Sequence, residues 1–484
     1  MNGRKRILMV ASAGAMALLP ALAQAQTVQS ISQADREQGA KAHPQLVEEF
    51  GGAMTGSQAT YVESVGKGIA VQSGLSNAKS DFTVTLLNSP VNNAFAIPGG
   101  YIYVTRDLVG LMNNEAELAG VLGHEVGHVA ARHAAGRQKA ATRNTVIGVL
   151  GSVLAGAVLG NSGLGSVVQK GLLQGSQLLT LKYSRGQETQ ADNLGIDYLK
   201  RAGYDPKAMG TVLQSLSNEN ALEARIQGQS ATKVPEWAST HPSDGPRVKA
   251  ALARAGTATG VTNRDKFLAG IDGLMMGDDP KQGVVEGRKF THPEFRFAFE
   301  APQGFYMVNG TRAVAISGQS AKAELSSGAY SGNMDSYIQS VFNAAAGQAQ
   351  TVDAGTIQRT TVNGLPAAYA AARVNSSGNQ VDVLVFAYEF SNNQAFHFLT
   401  ISQPGGARVF EPMFNSMRRI SATEAAAVKP RKLDVVTVKK GDTLQSLASR
   451  MAYTTYQLDR FLVLNGLTST SQLVPGQKVK VVVY

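Results

Sequence analysis

Apolar residues recur at helical spacing from residue 33 to about 75, where Ala34-Asp35-Arg36-Glu37 opens the segment and Tyr61, Val65 and Ile69 share a face. DFTVTLL at 81–87 and YIYVT at 101–105 alternate instead and predict two strands. Between them, NNAFAIPGG at 92–100 ends in turn chemistry. A helical pattern resumes at Asn114 and runs through Leu118, Val121, Leu122 and Val126 to about Arg137. Further helices are expected from about Gly186 to Ala202, stopped by Gly203, from Pro206 through Leu216, and from Val248 to Ala255. Residues 225–247 read as a loop and Gly256–Gly260 as a linker. From 285 to 422 the period becomes two, in FRFAF (295–299), AVAI (313–316), 367–374, 381–388 and 396–402, with helical stretches at Met334–Ala345 and Val409–Met417. TEAAAVKPRK at 423–432 reads as an exposed linker, and 433–484 as a small separate strand–helix–helix–strand module.

The expected fold class is multidomain α+β. A mostly helical domain with a small edge-strand sheet covers 26–260, an antiparallel-sheet α+β domain 285–422, and a βααβ module 433–484. A length of 484 residues suits three such units at ~150 residues per domain.

Composition changes this picture at two places. Arg4, Lys5 and Arg6 precede an apolar stretch, Ile7–Leu22, broken by Pro20, and Ala23-Gln24-Ala25 is an A-x-A cleavage site. Residues 1–25 are therefore expected to be a signal peptide and the mature chain to begin at Gln26 in a Gram-negative periplasm, with an uncleaved membrane anchor as the alternative. Residues 144–169 carry no charge, and Gly148, Gly151, Gly156 and Gly160 interrupt their apolar surface. They read as a helical hairpin broken near Asn161-Ser162-Gly163, or as a segment that dips into a membrane. The uninterrupted run of about 15 residues falls short of the ~20 needed to span one. The chain has no cysteine, so it uses no disulfides and any metal site must draw on His, Asp and Glu. The net charge of +10 is dispersed and lacks aromatic–basic interleaving, which argues against nucleic acid as a partner.

The densest chemistry is His-Glu-Val-Gly-His at 124–128. On a helix, His124 and His128 leave one face and can reach a single zinc ion at ~2.0–2.1 Å. Glu125, one step round, is the natural general base for a water on that ion. A third ligand is required, and Glu188 in Glu-Thr-Gln-Ala-Asp at 188–192 supplies one. Asp192, one turn on, can accept a hydrogen bond from a ligand imidazole. Asn92, Asn93, Ala94 and Phe95 are expected to lie on an edge strand to which an extended substrate adds by main-chain bonding. His241, in a Thr-His-Pro triplet, is a loop residue that can approach the metal, and Arg247 a candidate to stabilise an oxyanion. His43 and His133 read as surface residues, and His292 as a sheet-domain residue without a metal role.

Residues 34–255 resemble the BepA-like and HtpX-like gluzincin endopeptidases. The resemblance is carried by NSPVNNAFAIPGGYIYVTRDL (88–108), NEAELAGVLGHEVGHVAARH (114–133), YSRGQETQADNLGIDYL (183–199) and THPSDGPR (240–247). It implies zinc ligation by His124, His128 and Glu188 with Glu125 as base, and a resting state in which His241 also binds the zinc and displaces water. It further implies misfolded or stalled envelope polypeptides as substrates, and it places 144–169 where relatives have a variable, sometimes membrane-associated, helical insertion. The helical repeat domain of the BepA-like proteins is absent from the sequence pattern, so their partners do not simply transfer. Residues 435–483, with Lys440-Gly441-Asp442-Thr443-Leu444 and Asn465-Gly466-Leu467, closely resemble a LysM domain, which implies binding to N-acetylglucosamine polymers and hence peptidoglycan. Residues 285–422 faintly resemble PsbP-like sheets, which implies no function. A rival expectation is a wall-binding scaffold or chaperone whose hydrolytic domain is vestigial or tightly regulated.

Overall fold

The computed structural model describes residues 31–133, 183–226, 241, 245–346, 355–376 and 379–484. The expected signal peptide, the uncharged segment 144–169 and most of the loop at 225–247 lie outside the described residues. Within them, no helix is long and apolar enough to cross a membrane.

The helical stretch expected over 33–75 is two helices, α1 (Gln33–Glu49) and α2 (Ser57–Ala70). Gly51, Gly52 and Gly56 between them hold positive φ angles, which no helix continues through. Next come β1 (Thr83–Leu87), β2 (Ala94–Ile97) and β3 (Tyr101–Thr105), in spatial order β1-β3-β2. β1 runs parallel and β2 antiparallel to β3, leaving β2 at the edge. A short helix α3 (Arg106–Leu111) leads into α4 (Glu115–Ala130), capped by Asn114, whose side chain accepts from the Glu117 N–H at 3.0 Å. α4 is buried from Glu115 to His128 and is the central helix of the domain. α5 (Arg185–Arg201), α6 (Ala208–Ile226) and a later helix, α8 (Arg264–Ile271), pack around it, and α7 (Gly245–Ala255) packs on α5 and α6. α6 runs ten residues beyond the expected Leu216 because Leu222 and Ala224 continue its buried stripe. The core of this domain continues past residue 260 through Phe267, Leu268, Ile271, Leu274 and Met276 of α8 and β4 (Met275–Met276).

The second domain contains a four-stranded sheet and a seven-stranded antiparallel sheet. The helix Met334–Ala346 packs on one face of the larger sheet, while Phe410, Met413 and Phe414 close the other. His292 is buried here among phenylalanines.

The C-terminal module has the expected βααβ order, but it is not a separate body. Its first strand, Arg431–Thr437, pairs with the closing strand Lys478–Val483, and Arg431 and Lys432 also pair with Met276 and Met275 of β4. Leu433, Leu447, Phe461, Val479 and Val481 share one hydrophobic core with Leu108, Leu111 and Met276. Lys480 is fully buried, and its Nζ donates to the carbonyls of Gly110 (2.7 Å), Leu111 (3.2 Å) and Met112 (2.5 Å) at the end of α3. Residues 423–432, expected as an exposed linker, contain most of an exposed capped helix, Ala422–Ala427, and the first residues of the paired strand.

Candidate metal centre

His124 and His128 stand one turn apart on the same face of α4, and their Nε2 atoms meet at 3.0 Å. α5 crosses α4 where both helices carry glycine. A Cβ on Gly195 would lie 3.1 Å from the His124 backbone nitrogen, and one on Gly127 3.2 Å from the Ala191 carbonyl oxygen. This close approach lets Glu188 reach across. Its Oε2 lies 3.6 Å from His124 Nε2 and its Oε1 3.5 Å from His128 Nε2. His241, held beyond α6, brings Nδ1 to 3.3 Å from His124 Nε2 and 3.0 Å from Glu188 Oε1. The four side chains are buried, and one ligand atom from each lies within 4.8 Å of all the others.

The donor set fits zinc. Ligand atoms 2.0–2.1 Å from a tetrahedral ion stand about 3.3 Å apart. The spacings of 3.0, 3.3, 3.5 and 3.6 Å bracket that value. Three imidazole nitrogens and a carboxylate turned toward one dry point is also an arrangement that a cation balances and water does not.

Behind the ligands, His124 Nδ1 lies 2.9 Å from Asp192 Oδ1. Arg247 donates to Asp192 from Nε (2.6 Å) and Nη2 (2.8 Å), and its Nη1 sits 2.8 Å from Glu188 Oε2. Burial alone would raise Asp192, but its hydrogen bonds to Arg247 and His124 hold it down at about 2. Glu188, likewise opposed by burial, is held well below the carboxylate range by His128 and His241. The Arg247 guanidinium, expected to stabilise an oxyanion, is engaged here with the Asp192 and Glu188 carboxylates. Burial pushes Glu125 upward, and its buried Oε1 has no hydrogen-bond partner among the described residues and lies 3.8 Å from His241 Nε2.

The edge-strand expectation is refined by register. Asn93 is hydrogen-bonded through both its N–H and its carbonyl to Thr105, so strand alternation turns the Asn93 and Phe95 backbones toward β3. The backbones of Ala94 and Ala96 therefore face the edge that no strand pairs with among the described residues. Asn92 precedes the strand, half-buried.

Two residues at the site were not found by periodicity. Tyr183 stacks on the His128 ring with centroids 3.6 Å apart. His133, expected on the surface, is buried, with Nδ1 2.9 Å from His128 Nδ1. A residue five positions after His128 lies off its helical face, and only the ending of α4 brings it back. His43, also expected on the surface, is half-buried against Tyr103, with its Nδ1 2.8 Å from the hydroxyl.

Residues 56–255 match the model of Peptidase family M48, and residues 436–482 that of the LysM domain. The Beta-barrel assembly-enhancing protease of Yersinia pestis is 33% identical over 198 residues, covering 40% of this chain and 38% of that one. The Escherichia coli K12 protein of the same name is 32% identical over the same length. The Mitochondrial metalloendopeptidase OMA1 of Schizosaccharomyces pombe is 33% identical over 213 residues, covering 43% of this chain and 57% of that one. The chain thus spans well under two thirds of the length of these relatives. Cyanobacterial PsbP from Synechocystis aligns at 11% identity with a TM-score of 0.22, covering 27% of this chain and 91% of that one, too slight a likeness to bear on the sheet domain. Residues 56–255 thus resemble Peptidase family M48 and carry a buried donor set that fits zinc, in one chain with a C-terminal segment that resembles the LysM domain.

Proposed function

We propose that the protein is a zinc metalloendopeptidase of the bacterial periplasm that cleaves misfolded or stalled envelope polypeptides and is held near peptidoglycan by its LysM domain. The observation that carries the hydrolase reading is the approach of Glu188 from α5 to both imidazoles of α4. His124, His128 and Glu188 would hold the metal. When bound, zinc supplies a Lewis acid that acidifies water and polarises the scissile carbonyl. Glu125 takes the proton from the attacking water and delivers it to the leaving amine. Burial supports this role by bringing a carboxylate nearer to a base of useful strength. Asp192 orients His124, and Arg247 holds Asp192 and Glu188 in place. The outward backbone groups of Ala94 and Ala96 pair with an extended substrate. His241 occupies the fourth corner of the ligand set and has to withdraw to admit water. Polypeptide substrates are supported by the names of the relatives, and an envelope location by the LysM match.

The test is casein hydrolysis by the purified chain and by Glu125→Gln, with zinc content measured in parallel. The proposal expects one zinc per chain in both proteins and activity only in the wild type. Equal activity, or a zinc-free wild type after zinc loading, refutes it.

A further inference from the structure

We infer that His133 is a positioning residue for the metal ligand His128, acting through a hydrogen-bonded relay that ends at Gln190. The inference rests on the metal-site reading above. α4 ends in a reversed turn. Arg132 takes φ 53°, a left-handed angle usually left to glycine, and the His133 N–H donates to the His128 carbonyl at 3.0 Å. This folds His133 back under the helix it has just left. Its Nδ1 then lies 2.9 Å from His128 Nδ1, and its Nε2 3.0 Å from Gln190 Oε1 on α5. The relay has two polarities. If the Gln190 amide donates to His133, then His133 donates to His128 Nδ1, leaving the proton on His128 Nε2, where it blocks ligation. If Gln190 Oε1 accepts from His133 Nε2–H, then His133 Nδ1 accepts from His128 Nδ1–H, and the His128 Nε2 lone pair is free to bind the metal. His133 thus does for His128 what Asp192 does for His124. It does so with a neutral acceptor, which leaves this side of the site without a second carboxylate. Since Gln190 sits on the same helix as Glu188, the relay also ties one ligand's orientation to the helix that carries another.

The test measures zinc affinity by chelator competition, alongside thermal unfolding of the zinc-free proteins. His133→Leu removes the acceptor, whereas His133→Asn places an amide oxygen where Nδ1 stood. Gln190→Glu, acceptor-only at this position, enforces the ligating polarity, and Gln190→Leu removes the anchor. Zinc affinity is expected to fall about 10–100-fold in His133→Leu, to recover most of that loss in His133→Asn, to fall less in Gln190→Leu and to hold in Gln190→Glu. If His133→Leu does not fold, the two Gln190 variants and His133→Asn still decide. Wild-type affinity in His133→Leu, or in Gln190→Leu when His133→Leu cannot be made, overturns the inference. So does an asparagine variant no better than leucine. Zinc binding by the wild type is read in the same experiment, so a protein that binds no zinc refutes the site itself rather than the relay.

Discussion

Lys480→Met tests the claim that the LysM domain is built into the peptidase domain rather than tethered to it. The ammonium is fully buried and bonds three consecutive carbonyls at the end of α3, two residues before the cap of the metal-binding helix. Burial drives its pKa well below the ordinary lysine value, opposed by the buried Glu117 nearby. Methionine matches the length of the stem but donates nothing. It leaves the buried Gly110 and Met112 carbonyls without this donor, at about 1–3 kcal/mol for each one left unsatisfied, while Leu111 keeps the Asn113 amide at 3.3 Å, and it removes the Coulombic support Lys480 gives Glu117. Against this stands the relief of an ammonium no longer held out of water. The net expectation is a loss of about 2–4 kcal/mol, or roughly 5–15 °C in melting temperature for a domain of this size. Urea unfolding should be followed on zinc-loaded Glu125→Gln protein, which cannot digest itself. The proposal expects one transition, moved as a whole, because the two domains share a core. A change below about 0.5 kcal/mol, or an early transition confined to the LysM domain, would refute the reasoning.

Gly195→Val should push α5 off α4, since the added atoms meet the backbone of Gly123 and His124; a loss of zinc together with more than ~2 kcal/mol of stability is expected, and normal zinc affinity would contradict the glycine-crossing argument. Arg247→Met strands the Asp192 and Glu188 carboxylates, so the zinc-free protein should lose about 3–5 kcal/mol and recover part of it on zinc addition, as read by scanning calorimetry. In the sheet domain, burial lowers His397 from 6.5 to about 4. The unfolded chain therefore binds the extra proton between those values, and the stability due to neutral His397 is complete above pH 6.5 and lost as pH falls toward 4. Relative to the wild type, His397→Asn should gain up to about 3 kcal/mol between pH 7 and 4. Glu324, raised to about 7 by burial, contributes an opposite slope that is common to both proteins and cancels in the difference. A difference that does not change with pH would reject the assignment.

What the sequence determined by itself was local. The period of 3.6 and a capping asparagine were enough to set α4 and the shared face of His124 and His128, since both follow from helix geometry alone. The same spacing rule paired Glu188 with Asp192 on α5, and alternation drew the strands. Tertiary structure decided what depends on two elements meeting. Glycines at one helix crossing brought Glu188 to the imidazoles. Arg247 became a partner of two carboxylates because α7 presents it to α5. A left-handed arginine, invisible in a periodicity, returned His133 to the site. The LysM domain, whose own pattern is complete in sequence, was anchored by a lysine whose partners lie some 370 residues earlier in the chain. Periodicity records which face of an element is apolar but not which surface it will meet, and burial of shared apolar area makes that choice only when the whole chain is folded.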